Sequence, residues 1–118
     1  MRRIHHVNLG VPPELMKDEA EFLVDVLGYQ QVEPPPEAQR FGAAWFDADD
    51  GTQVHLSRDP DHRPAARAHT ALVVGDELDD IRGRLDASGA DYDASEQQGM
   101  RMVFCFDPAG NRWELRGT

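Results

Sequence analysis

Three histidines and one glutamate, His6, His55, His69 and Glu114, fall at matching points of a chain that repeats itself. Three neutral imidazoles and one carboxylate form a donor set suited to a divalent first-row metal. The set does not choose among nickel, zinc, manganese, iron and cobalt. The case for these four rests on placement, since a lone strand histidine or surface glutamate carries no such meaning. His5 has the parity of the apolar, helix-packing set, and His62 lies in a charged stretch where solvation is expected.

The repetition appears in two motifs. His6-Val7-Asn8-Leu9-Gly10-Val11 returns as His69-Thr70-Ala71-Leu72-Val73-Val74, an offset of 63 from His6 to His69. Phe46-Asp47, a turn with Gly51 and a strand ending in His55-Leu56 return as Phe106-Asp107, a turn with Gly110 and Trp113-Glu114-Leu115. The second offset is 60 at Phe and 59 at Gly, which reads as one extra turn residue in the first copy.

Each half reads as strand, helix, three strands. In the first, a strand covers about Arg3 to Val11, Pro12-Pro13 opens a helix over Glu14 to Leu27, and Gly28 stops it. Strands follow at about Tyr29–Glu33, Arg40–Asp47 and Thr52–Ser57, with Glu33 to Glu37 as a stiff proline loop. In the second, a strand covers about Ala68–Val74, a helix Asp76–Ser88, and strands Asp91–Ala94, Met100–Phe106 and Arg112–Arg116. Ser95 to Gly99 reads as a polar, movable loop. The expected organisation is α+β, with module one at 1–58, a linker at 59–67 and module two at 68–118.

Alternation assigns the faces. His6, Asn8 and Gly10 oppose Val7, Leu9 and Val11, and His55 opposes Val54 and Leu56. His69 opposes Thr70 and Leu72, and Glu114 opposes Trp113 and Leu115. The apolar faces can cover the helices, leaving the four donors on the other faces.

Composition narrows the partners. The 118 residues carry a net charge of −10, so an anionic nucleic-acid backbone or membrane surface is repelled. A small-molecule substrate, no nucleic acid and no membrane are expected. No apolar leader follows Met1, and the cytoplasm is the expected location. The one cysteine, Cys105, sits in an apolar strand and reads as packing.

Ile4-His5-His6-Val7-Asn8-Leu9-Gly10-Val11, Phe22-Leu23-Val24-Asp25-Val26-Leu27-Gly28-Tyr29 and, most specifically, Asp107-Pro108-Ala109-Gly110-Asn111-Arg112-Trp113-Glu114-Leu115 resemble the vicinal oxygen chelate superfamily. Its members include glyoxalases, fosfomycin-resistance thiol transferases, methylmalonyl-CoA epimerases, extradiol dioxygenases and bleomycin-resistance proteins. The resemblance covers nearly the whole chain. It implies two tandem βαβββ modules in a cupped, barrel-like mixed sheet, as in the glyoxalase, bleomycin-resistance and dihydroxybiphenyl dioxygenase fold. It implies metal ligands on the first and last strands of each module, here His6, His55, His69 and Glu114, and a homodimer. His55 stands where glyoxalases commonly have Glu and epimerases Gln, so ligand, catalytic base and substrate contact all stay open for it. Phe22-Leu23 stands where the family often has Phe-Tyr.

Three functions follow as expectations. The first is a metal-dependent lyase or isomerase of the glyoxalase type, with Glu114 and His55 as catalytic bases and Arg101, Arg112 and Arg116 available to an anionic substrate. Ring-cleaving dioxygenase chemistry is its runner-up. The second is non-catalytic drug binding, with Trp45, Phe46, Phe104 and Trp113 as stacking surfaces. The third is a structural or regulatory metal domain. The segments Glu33–Gln39 and Ser95–Gly99 are the expected substrate-selecting loops.

Overall fold

The structure, a computed structural model, describes residues 1–118. The chain divides into two compact units, Met1–Arg63 and Pro64–Thr118. The first contains β1 (His6–Val11), α1 (Met16–Glu21), β2 (Gln30–Val32), α2 (Pro36–Gln39), β3 (Ala44–Asp47) and β4 (Gln53–Arg58). The second contains β5 (His69–Gly75), α3 (Leu78–Ser88), β6 (Tyr92–Gln97), β7 (Met100–Phe106) and β8 (Arg112–Gly117). The sheet orders are β1-β4-β3-β2 and β5-β8-β7-β6. In both, the first strand runs parallel to the last and the other neighbours are antiparallel. This is an α+β fold of two tandem βαβββ modules, with the one-turn α2 inserted in the first.

Alternation sorts each sheet into an apolar and a polar face. On β8, Trp113, Leu115 and Gly117 are buried while Arg112, Glu114 and Arg116 are half-buried. Cys105 and Val103 of β7 stand opposite Trp113 and Leu115, and Leu78, Ile81 and Leu85 of α3 are buried with them. Helix α3 comes so close to β8 that a Cβ on Gly117 would lie 2.7 Å from Leu78 Cδ2 and 3.2 Å from its Cβ, so a larger residue there would displace Leu78. In the first unit Val11, Phe46, Val54 and Leu56 are buried, together with Phe22, Leu23 and Val26 from the helical segment.

That segment is less regular than the sequence predicts. Instead of one α-helix from Glu14 to Leu27, a 3-10 turn (Pro13–Leu15) leads into α1, and a π-turn covers Phe22–Val26. The wider turn places both adjacent pairs, Phe22-Leu23 and Val26-Leu27, in the core, which a uniform 3.6-residue period does less well. Three further expectations are corrected. The proline loop contains the helical turn α2, because prolines at 35 and 36 are compatible with a helix start. Strand β3 begins only at Ala44 rather than near Arg40. Ser95–Gln97 is not a loop but the end of β6, paired with Met100–Met102. The reversal needs only Gln98 and Gly99, both at positive φ (52° and 77°), the twist that suits a two-residue hairpin.

The extra turn residue expected in the first copy is not there. Five residues separate β3 from β4 and five separate β7 from β8. Phe46 opposes Val54 as Cys105 opposes Trp113, so the counterpart of Phe46 is Cys105. The matching Phe-Asp pairs are therefore one residue out of register. Such a slip exchanges faces, and Phe46 is fully buried where Phe106 is 58% exposed. The Asp107 of the second copy has turned inward instead. Its Oδ1 accepts from the Asn111 N–H (2.8 Å) and its Oδ2 from the Trp113 indole N–H (3.0 Å).

Candidate metal-binding pairs

In the first unit, β1 and β4 place His6 beside Gln53 and Asn8 beside His55. His55 thus lies two residues beyond the partner of His6, on the same face. The two rings stack with centroids 4.0 Å apart and planes 16° from parallel. Trp45, directly opposite His55 on β3, covers its other side at 4.1 Å and 1°. His55 is therefore buried although it belongs to the polar face. Its Nε2 is 2.8 Å from Gln53 Oε1, and Gln53 Nε2 donates to Asp47 Oδ1 at 2.6 Å. Burial, with His6 and His5 beside it, holds the imidazole below its ordinary pKa, so the ring stays neutral near pH 7. His5 does not join the core as its parity implies. It precedes β1, is exposed, and its Nδ1 lies 2.9 Å from His6 Nδ1.

In the second unit, β5 and β8 place His69 beside Arg112 and Ala71 beside Glu114. His69 and Glu114 thus have the same relative register as His6 and His55. The His69 Nδ1–H donates to the Arg67 carbonyl (3.0 Å), which leaves Nε2 as the acceptor nitrogen of the neutral ring. That nitrogen is 3.6 Å from Glu114 Oε1. Arg116 Nη1 holds the other oxygen, Oε2, at 2.8 Å and also stands 3.3 Å from Met102 Sδ. Arg112 lies over the Phe104 ring, 4.6 Å from its centroid, and Phe104 meets His69 edge-on at 6.3 Å.

The donor chemistry fits a cation. Two acceptors, an imidazole lone pair and a carboxylate oxygen, face each other at 3.6 Å and repel unless a proton or a metal ion joins them. His55 is neutral, as a ligand imidazole must be. Within each unit the candidates form a pair, and neither unit gathers three or more His, Cys, Asp or Glu side chains into a metal cage.

Other candidates are reassigned. Arg101 is ion-paired with Asp79 of α3, on the apolar side of β7, and leaves the substrate-binding set. Phe46 and Trp113 are fully buried and offer no stacking surface, whereas Trp45 and Phe104 stand on the polar faces. His62 is not solvated as expected. It folds over Gly10, where a Cβ would lie 2.8 Å from its Nδ1, and its Nε2 is buried. Cys105 is buried, and burial with the Asp107 charge pushes its thiol to about 12, so it is packing and not a nucleophile. Sequence reasoning missed Gln53, Asp47 and the Arg67 carbonyl as partners of the histidines. Alternation alone puts Gln53 on the face of His55.

The glyoxalase-like domain family matches residues 14–116, a range that includes His55, His69 and Glu114 but begins after His6. No curated protein sequence matches. Among solved structures, one from Bacillus anthracis assigned to the glyoxalase family superposes with a TM-score of 0.88 at 24% identity, over 100% of this chain and 96% of that one. The fosfomycin resistance protein FosX from Listeria monocytogenes gives 0.81 at 16% identity, over 100% and 94%. A Glu-to-Gln mutant of FosX has been solved with Mn(II) and 1S,2S-dihydroxypropylphosphonic acid. Lactoylglutathione lyase from Agrobacterium tumefaciens gives 0.70 at 19% identity, over 99% and 94%. At these identities the structural likenesses establish a shared fold.

Proposed function

This chain belongs to the glyoxalase-like domain family within the vicinal oxygen chelate superfamily, and from that premise we propose that it is a divalent-metal-dependent enzyme acting on a small substrate with two neighbouring oxygens, by lyase or isomerase chemistry of the glyoxalase type. The observation that carries the reading is the His69–Glu114 pair, two opposed acceptors at 3.6 Å with their remaining polar atoms already engaged. His6, His55, His69 and Glu114 are the proposed ligands. The Mn(II) complex of FosX, a protein of the same fold, supports a divalent ion as the cofactor class.

Bound there, a divalent ion would supply Lewis acidity toward the paired substrate oxygens. The chain's own residues do the rest. Arg116 orients Glu114 by holding Oε2, so that Oε1 is the oxygen left to ligate or to accept a proton. The Arg67 carbonyl fixes the His69 tautomer and with it the donor nitrogen. His55, kept neutral by burial, is the second proton acceptor. Arg112, over Phe104, is the remaining arginine of the polar face that is not bonded to Glu114, and it suits an anionic group on the substrate.

Metal-loaded protein assayed on hemithioacetals and on epoxides tests this reading. Turnover is expected in the wild type and should fall by roughly 10²–10⁴-fold in Glu114→Gln, which keeps the shape but loses the base. Equal turnover in the two proteins would contradict the role of Glu114.

A further inference from the structure

We infer that His55 offers Nδ1, rather than Nε2, as its bare nitrogen, and that Gln53 is the positioning residue that sets this tautomer. The inference rests on the proposed function only in placing His55 at a working site.

Asp47 Oδ1 accepts, so the amide atom 2.6 Å from it is the Gln53 NH₂ group, which donates. The Gln53 side chain is then turned with Oε1 toward His55, 2.8 Å from Nε2. An amide oxygen only accepts, so Nε2 carries the proton. In the neutral ring Nδ1 is then left with its lone pair. The stacks with His6 and Trp45 fix the plane of the ring, and the Gln53 bond fixes which edge faces inward.

The other unit does the opposite by different means. There Arg112 takes the register position of Gln53, and Phe106 that of Asp47. No amide relay exists at that point, and the Arg67 carbonyl accepts from His69 Nδ1–H, which keeps the proton on Nδ1 and leaves Nε2 bare. The last-strand histidine of the first unit and the first-strand histidine of the second thus present different nitrogens. A metal or an exchanging proton meets His55 at Nδ1, and removing Gln53 weakens that presentation without touching the ring. Loss of such a supporting hydrogen bond typically costs roughly 10–100-fold in metal affinity.

Long-range proton–nitrogen NMR of ¹⁵N-labelled, metal-free protein reads the tautomer directly. The wild type should show His55 protonated at Nε2 and pyridine-like at Nδ1. In Gln53→Ala the proton should be shared between both nitrogens while the rest of the amide spectrum is retained. A wild-type His55 bare at Nε2, which needs no variant to observe, or an unchanged tautomer in folded Gln53→Ala, would overturn the inference. Zinc added to the same wild-type sample should perturb Nδ1, and perturbation of Nε2 instead would also overturn it. Absence of zinc uptake with the Nε2–H tautomer intact would contradict the metal reading and leave the tautomer standing.

Discussion

His69 Nε2 faces Glu114 Oε1 at 3.6 Å, while His69 Nδ1 is bonded to the Arg67 carbonyl and Glu114 Oε2 to Arg116. The relationship is built by register. The parallel pairing of the first and last strands of each module sets a first-strand residue two positions short of a last-strand residue, and the same offset brings His6 and His55 into their stack. Side chains of ordinary surface type become a matched set because a βαβββ module occurs twice.

The Asp107 turn should be a major support of the second unit. Its carboxylate is buried and satisfies both a backbone N–H and the indole of the fully buried Trp113. Asp107→Ala removes two charge-assisted bonds and leaves the indole N–H unpaired, so it should cost about 3 kcal/mol in urea unfolding. Trp113→Phe, which removes the donor, should weaken the coupling between the two sites in a double-mutant cycle. A loss below about 1 kcal/mol for Asp107→Ala would show that the turn holds without its carboxylate.

His55 should make the metal-free protein sensitive to acid. Its folded pKa lies below the ordinary 6.5. The unfolded chain therefore binds the proton first, and the stability that His55 contributes is full above about 6.5 and lost as pH falls through its depressed folded value. Chemical denaturation from pH 8 to pH 5 should show this loss, and His55→Gln should flatten that part of the profile. An identical profile in the two proteins would rule His55 out as the group responsible.

Cys105 reports on the core. With the thiol pushed to about 12 and the side chain fully buried, iodoacetamide at pH 8 should label native protein far more slowly than urea-unfolded protein. Tyr29, likewise raised to about 12 by burial and Asp50, adds to the same alkaline trend. Both groups bind their protons more tightly when folded, so stability should decline as pH rises above about 9. Rapid labelling under native conditions would mean that β7 opens readily.

Much of this was legible in the chain, and the failures have physical causes. The doubled His-strand and the alternation around Trp113-Glu114-Leu115 are enough for the module and the strand faces. The Phe-Asp match misled because like residues aligned across turns of equal length, while hydrogen-bond register placed Phe46 opposite Val54 and Phe106 opposite Arg112. The π-turn at Phe22–Val26 was invisible because adjacent apolar pairs satisfy several helical periods. Arg101 looked like its neighbours until the β7 parity sent it to Asp79. The Asp47–Gln53–His55 chain escaped because hydrogen bonds between side chains two or more residues apart have no period to announce them.

Metal content tests the central claim most directly. Protein purified without added metal or chelator, as wild type, His69→Ala and Glu114→Ala, would be measured by elemental analysis and by titration with nickel, zinc, manganese and ferrous iron. The account predicts about one divalent ion per chain in the wild type and loss of it in both variants. A wild type that neither carries nor takes up any of these ions would contradict it.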